Sequence, residues 1–319
     1  MTDSAVPQRA VGGAPPQGRS AWAVHRPGTR DVGILSLAVL GISLSAPLTT
    51  LLGAPMLALA FWRNAAGAAA LLPLLLRERA VLRGLRMRDL GSSVVAGLFL
   101  AAHFAAWLPS LSMTTVAAST ALVTTTPIWT ALAARIAGVR LPGAVWGGLV
   151  LAVAGVALIA GVDVTVSTRA LAGDGLALLG AICAGGYVLA GARARVRLST
   201  SAYAVVCYGV CAVAIAVAAL ATGTPLGGFP AQDWWLIAAI TFCAQLLGHT
   251  LLNLVLATVG PTMVSLVVLL EVPGALLFAL VLLGQLPPLL ALPGVVLVVA
   301  GVALVVRASR PATIVEPAT

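Results

Sequence analysis

The chain has 319 residues, of which 61% are hydrophobic and only 8% charged, with a mean hydropathy of +1.08. A soluble domain carries about a quarter of its residues as charges, so there is too little charge here to coat a water-exposed surface. The apolar side chains must face lipid or one another, and a water-soluble globular protein is excluded. The net charge of +9 and pI near 10.9 do not indicate a nucleic-acid binder: every basic residue is Arg, and they lie in short runs between apolar segments instead of in one patch.

In chain order, residues 1–32 are rich in Pro, Gly and Arg and hold no apolar run of signal-peptide length, which predicts a disordered, uncleaved cytoplasmic tail. A bilayer core of ~30 Å needs ~20 helical residues at ~1.5 Å each. Runs of that kind fall at 33–51, 56–76, 90–110, 114–134 and 141–161. After a short external linker at 162–174, five more follow at 175–192, 201–221, 234–255, 262–283 and 289–306. Residues 308–319 form a second polar tail. The expected fold class is thus an all-α integral membrane protein of about ten transmembrane helices.

Arginine placement predicts the orientation, because cytoplasmic loops collect basic residues. With the N-terminus inside, Arg9, Arg19, Arg26, Arg30, Arg77, Arg79, Arg83, Arg86 and Arg88 are cytoplasmic. So are Arg135, Arg140, Arg193, Arg195, Arg197, Arg307 and Arg310, leaving Arg169 outside and Arg63 within a span. Both termini are therefore expected in the cytoplasm of a protein of the inner (cytoplasmic) membrane.

Sliding the chain against itself by 146 residues aligns uncommon residues. His103 meets His249, Pro127 meets Pro273, Gly138 meets Gly284, Pro142 meets Pro288 and Gly148 meets Gly294. Ala154–Leu158 (AGVAL) recurs as Ala300–Leu304. The halves 33–161 and 175–307 thus read as two repeats of five spans. An odd span number inverts the second repeat, an arrangement that transporters use with a substrate site near the midplane.

Two formal charges fall deep in the spans. Glu271 lies nine residues into its span, ~13 Å deep, and Arg63 seven residues from the outer end, ~10 Å deep. Intramembrane ionisable groups are costly and mark functional sites by default. Glu271 suits reversible protonation or a cationic substrate group; otherwise it is a structural carboxylate paired with Arg63. Arg63 either snorkels to the interface or is the counter-charge for an anionic substrate group. His103 and His249 occupy equivalent spans of opposite direction, and Trp107 and Asn253, one turn after each, share their faces. These four either line a substrate pathway or pin the repeats together by interhelical hydrogen bonds.

Pro127 and Pro273 should kink their spans, with Thr124, Thr125 and Thr126 placed either to re-satisfy freed backbone groups or to touch substrate. Gly148, Ala152 and Gly155, with Gly294 and Gly301 as repeat partners, form a small-residue face for packing or for a homodimer. Trp234 and Trp235 beside Asp233 read as interfacial anchors, and Tyr187, Tyr203 and Tyr208 as packing or cavity residues. Cys183, Cys207, Cys211 and Cys243 lie in apolar runs, so neither a metal nor a disulfide is expected. With no phosphate-binding loop, no nucleotide or other cofactor is expected.

The stretches HFAAWLPSLSMTTVAASTALVTTTPIW (103–129) and GHTLLNLVLATVGPTMVSLVVLLEVPGALLFALVLLGQ (248–285) resemble the two EamA repeats of the drug/metabolite transporter superfamily. WRNAAGAAALLP (62–73) extends the resemblance, which covers about 33–307. It implies a ten-helix fold that moves amino acids, related metabolites or drugs. Two positions depart from the pattern: Glu271-Val272-Pro273 stands where Glu-Pro is common, and Gln285 where Glu is frequent. The expected function is a secondary transporter, export being the expected direction, working by alternating access on a small-molecule substrate. The alternatives are a non-transporting scaffold or channel subunit, or an intramembrane enzyme.

Overall fold

A computed structural model describes residues 25–78, 83, 87–114, 116–160, 167–286 and 291–311. Most of the two expected tails, together with Arg9, Arg19, Arg79, Arg86 and Pro288, lies outside the described residues. Among those described, nearly all the backbone is helical. In chain order the helices are α1 (Thr29–Thr50), α2 (Met56–Arg77), α3 (Met87–Ser110), and α4 in two pieces (Val116–Val123 and Thr126–Ile136). They continue with α5 (Gly143–Ala160), α6 (Thr168–Arg195), α7 (Thr200–Ala221), α8 (Ala231–Val259), α9 (Pro261–Leu283) and α10 (Ala291–Ala308). Of the described helices, α1, α2, α3, α6, α7, α8 and α9 are long and apolar enough to cross a membrane; α5 and α10 are shorter apolar helices. Helix α6 begins at Thr168, upstream of the start expected at 175, under a Ser167 cap that accepts from the Ala170 amide.

Proline and hydroxyl chemistry break several rods near their middles. Helix α1 bends at Leu44, where Pro47 follows and cannot donate to the carbonyl four residues back. In α4, Pro127 frees the carbonyl of Val123, and the Thr126 hydroxyl donates to it at 2.9 Å. Thr124 and Thr125 donate to Thr120, Ala121 and Leu122 carbonyls in the same way. All three threonines thus serve the backbone at the break. In α9, Pro273 frees Leu269, whose carbonyl accepts instead from the Val272 amide at 3.3 Å. Helix α8 carries a π-helical segment, Thr241–His249, a widening that commonly accompanies functional sites.

Packing follows the repeat. Helix α3 lies on α6, and their equivalents α8 and α1 lie on each other; α2 pairs with α7, and α5 with α10. The equivalent glycines Gly138 and Gly284, just past α4 and α9, both adopt the left-handed conformation (φ 82° and 66°) that only glycine enters freely. The small-residue face joins α5 to α10 inside the chain. A Cβ on Gly148 would stand 2.7 Å from the Gly301 carbonyl, and one on Gly155 2.6 Å from the Gly294 carbonyl. That face is used within one chain, the packing alternative of the two the sequence offered.

Large apolar side chains, among them Leu40, Leu76, Leu98, Val150, Val213, Leu220, Phe242 and Val281, cover the outside of the bundle. Such a surface is stable only against lipid. Parallel two-residue strands, His25–Arg26 and Arg310–Pro311, bring the two ends of the described bundle together.

Candidate functional site

The breaks and the π segment surround a buried cavity of about 80 Å³, room for roughly five water molecules at ~15 Å³ each. Its lining brings together Arg63, His103, Trp107, His249, Asn253 and Glu271, residues that the sequence placed on four different spans. Ser45, Thr124, Thr126, Tyr187 and Ser265 share the wall.

Arg63, midway along α2, is 1% exposed and does not snorkel; its helix faces α7 and the π segment instead of lipid. The Nε–H donates to Gln245 Oε1 at 3.0 Å, Nη1 reaches Ser45 Oγ at 3.5 Å, and the guanidinium lies 4.4 Å from the centre of the Phe104 ring. Gln245 is held in turn by donating to Asn64 Oδ1 at 3.1 Å, and Asn64 by donating to the Ala60 carbonyl. The Arg63–Glu271 ion pair, one of the two alternatives for Glu271, is not formed: among the described residues no carboxylate lies within 4.0 Å of the guanidinium. Glu271 starts the second piece of α9, where the helix dipole favours a negative charge.

His103 donates through Nδ1 to the Gly180 carbonyl, 2.9 Å away; a carbonyl can only accept, so Nδ1 carries the proton there. Its ring stacks on Trp107 with centroids 5.6 Å apart and planes 19° apart. His249, at the end of the π segment, sits edge-on between Phe104 (5.8 Å) and Tyr187 (5.9 Å). Its Nδ1 and the Trp107 Nε1 are buried without a hydrogen-bond partner among the described residues. The Tyr187 hydroxyl donates to Asn253 Oδ1 at 2.8 Å, and Asn253 Nδ2 donates to the Tyr208 hydroxyl at 3.2 Å. Asn253 is therefore committed to two tyrosines, a role that its sequence position alone did not reveal.

Ties close the bundle at both ends. Next to α7, Glu78 accepts from Ser199 (2.5 Å) and Ser201 (2.7 Å), while Arg195 Nε donates to the Asn253 carbonyl at 3.0 Å. At the other end the Gly53 amide donates to Asp233 at 3.0 Å, and Trp62 Nε1 to the Leu226 carbonyl at 2.7 Å. Asp233 is buried by this contact, while Trp235 alone of the tryptophan pair is largely exposed. No group of three or more His, Cys, Asp or Glu able to hold a metal occurs among the described residues.

A lipid-facing helical bundle of two matched halves, with a charged cavity between broken helices, defines a multi-pass membrane protein. The EamA-like transporter family model matches residues 31–161 and 171–307, both halves, and the chain belongs to that family, within the drug/metabolite transporter superfamily. It is a membrane transport protein, and the family is one of transporters and not of enzymes. Comparison with curated proteins finds no relative. A solved structure described only as "Crystal structure of protein" is similar over 88% of this chain and 98% of its own, with 19% identity and a TM-score of 0.71. That similarity concerns the fold.

Proposed function

We propose that this chain is a secondary transporter that carries small metabolites such as amino acids or drug-like compounds across the cytoplasmic membrane, by alternating access between two inverted repeats. Ten crossings are proposed, with the broken α4 and the shorter α5 and α10 completing the seven long apolar helices. His25–Arg26 and Arg310–Pro311, at the two ends of the described bundle, pair with each other, and the arginine distribution supports a cytoplasmic side for both termini. Export is the proposed direction.

The observation that carries this reading is the single cavity shared by Arg63, His103, Trp107, His249, Asn253 and Glu271. A buried cation, a carboxyl, two imidazoles and aromatic walls give a binding surface that a packed structural core would have no reason to keep. Breaks in α1, α4 and α9 provide hinges where half-helices can tilt. The ties at Glu78 and at Asp233 are the contacts that alternate opening would break in turn.

The test is accessibility. After the four native cysteines are replaced, His103→Cys and His249→Cys should react with a membrane-impermeant thiol reagent in open-pathway states. A substrate identified by flux should slow both reactions. Reaction rates no higher than that of a lipid-facing control, Val213→Cys, would remove both histidines from the pathway.

A further inference from the structure

The charges around the cavity leave a gap that a ligand can fill. Arg63 is nearly fully buried, yet its hydrogen bonds go to two neutral oxygens, on Gln245 and Ser45. Among the described residues Nη2 makes no hydrogen bond, and none reaches the Glu271 carboxylate. Both Arg63 and Glu271 line the cavity. A buried cation without a neighbouring anion is strongly disfavoured.

The other titratable groups do not supply that anion. His103 on α3, Tyr187 on α6 and His249 on α8 line the same space, and Tyr208, Cys207 and Cys211 on α7 lie just behind it. Histidines add positive charge or none. Helices α1 and α4 contribute only Ser45, Thr124 and Thr126 as polar lining groups, and α9 adds Ser265 beside Glu271. Arg63 is thus the one permanent charge and Glu271 the one acid among the described lining residues. Two states neutralise the site: ionised Glu271 faces Arg63 across the empty cavity, or an external anion sits on Arg63 and Glu271 takes up a proton.

We infer that the cavity binds a substrate carboxylate on the free edge of the Arg63 guanidinium and takes up one proton on Glu271 for each carboxylate bound. This rests on the transporter reading and narrows its substrate to a net-anionic carboxylate. The planar fork of a guanidinium matches the two oxygens of a carboxylate. The proton comes from the water on whichever side the cavity faces and leaves with the anion, so the loaded site carries the same net charge as the empty one. Trp107, stacked on His103, offers an aromatic wall beside the headgroup. Efflux of an acid made inside the cell would then carry its own proton out.

Three probes on one skeleton separate the alternatives: 3-phenylpropionate (anion), L-phenylalanine (zwitterion) and phenethylamine (cation). Binding to the purified full-length protein is measured by titration calorimetry between about pH 6 and about pH 9, in two buffers of different ionisation enthalpy. The expected result is uptake of close to one proton per 3-phenylpropionate where Glu271 is ionised. Its affinity should rise by up to about tenfold per unit fall in pH. Glu271→Gln, nearly isosteric, should bind the anion without proton uptake and without pH dependence.

Binding of the anion without proton uptake in the wild type overturns the inference. So does proton uptake that persists in Glu271→Gln, binding of L-phenylalanine but not 3-phenylpropionate, or no binding of the anion at millimolar concentration. Flux in proteoliposomes is read separately. Carriage of 3-phenylpropionate without a proton overturns the inference and leaves the transporter standing. Proton-linked binding with no flux of any probe supports the site and removes the transporter.

Discussion

Substituting Gly155 by Ala should separate α5 from α10, and the size of the effect follows from the geometry. The added Cβ would stand 2.6 Å from the Gly294 carbonyl oxygen and 2.7 Å from the Val298 amide nitrogen. Ordinary contact with a methyl begins near 3.4 Å, so the helices must part by several tenths of an ångström along backbone that cannot rotate away. Overpacking of that kind costs roughly 1–3 kcal/mol. At ~2.1 cal/mol/K of unfolding entropy per residue, ~2 kcal/mol corresponds in a chain of this size to a fall in the unfolding midpoint of about 3 °C. The assay is thermal unfolding of the detergent-purified protein, with Gly209→Ala in α7 as control, since nothing lies within 4 Å of a Cβ there. That control should be neutral or slightly stabilising, because alanine is the better helix former. Equal midpoints for Gly155→Ala and Gly209→Ala would refute the close approach. A change in oligomeric state with no loss of stability would return this face to a dimer interface.

Four further outcomes are expected. Gln245→Ala leaves the buried Arg63 Nε–H without its 3.0 Å acceptor and should destabilise by about 1.5–3 kcal/mol, read as a lower unfolding midpoint, while abolishing substrate flux. Gln245→Glu should fold but hold Arg63 in a permanent ion pair, so anion binding falls at every pH in the same calorimetric assay. Glu271→Gln should make flux independent of pH in proteoliposomes; unchanged pH dependence would take Glu271 out of the coupling step. Thr126→Val orphans the Val123 carbonyl at the α4 break and should lower stability by about 1–3 kcal/mol, whereas Thr222→Val, at the exposed end of α7, should leave the midpoint unchanged.

Much of this arrangement is legible in the sequence because membranes make polar residues conspicuous. His103, His249, Arg63 and Glu271 stand out against apolar spans, the 146-residue offset sets the two histidines on matched helices, and all four line one cavity. The threonines before Pro127 serve the backbone for the reason their spacing suggests. Other features needed three dimensions. Arg63 reads as a residue that could snorkel, because depth along a helix says nothing about which face meets lipid; Asn64 beside it and Gln245 four residues before His249 were the available hints. The missing Arg63–Glu271 contact is likewise a matter of distance between helices. The π segment at Thr241–His249, which turns both Gln245 and His249 inward, leaves no periodic mark in so short a stretch. The glycine face was recognisable, but its partner was not, since the same spacing serves contacts within a chain and between chains.

The most direct measurement of the central claim, that substrate moves through the Arg63–Glu271 cavity, is untargeted metabolite profiling inside and outside cells. Cells expressing the wild type would be set against cells with matched membrane levels of Glu271→Gln and His249→Ala, with an empty-vector control. The account predicts at least one small carboxylate-bearing compound whose distribution shifts with the wild type and stays at the control level with both variants. A compound moved equally by the wild type and both variants, or no compound distinguishing the wild type from the empty vector, would contradict it.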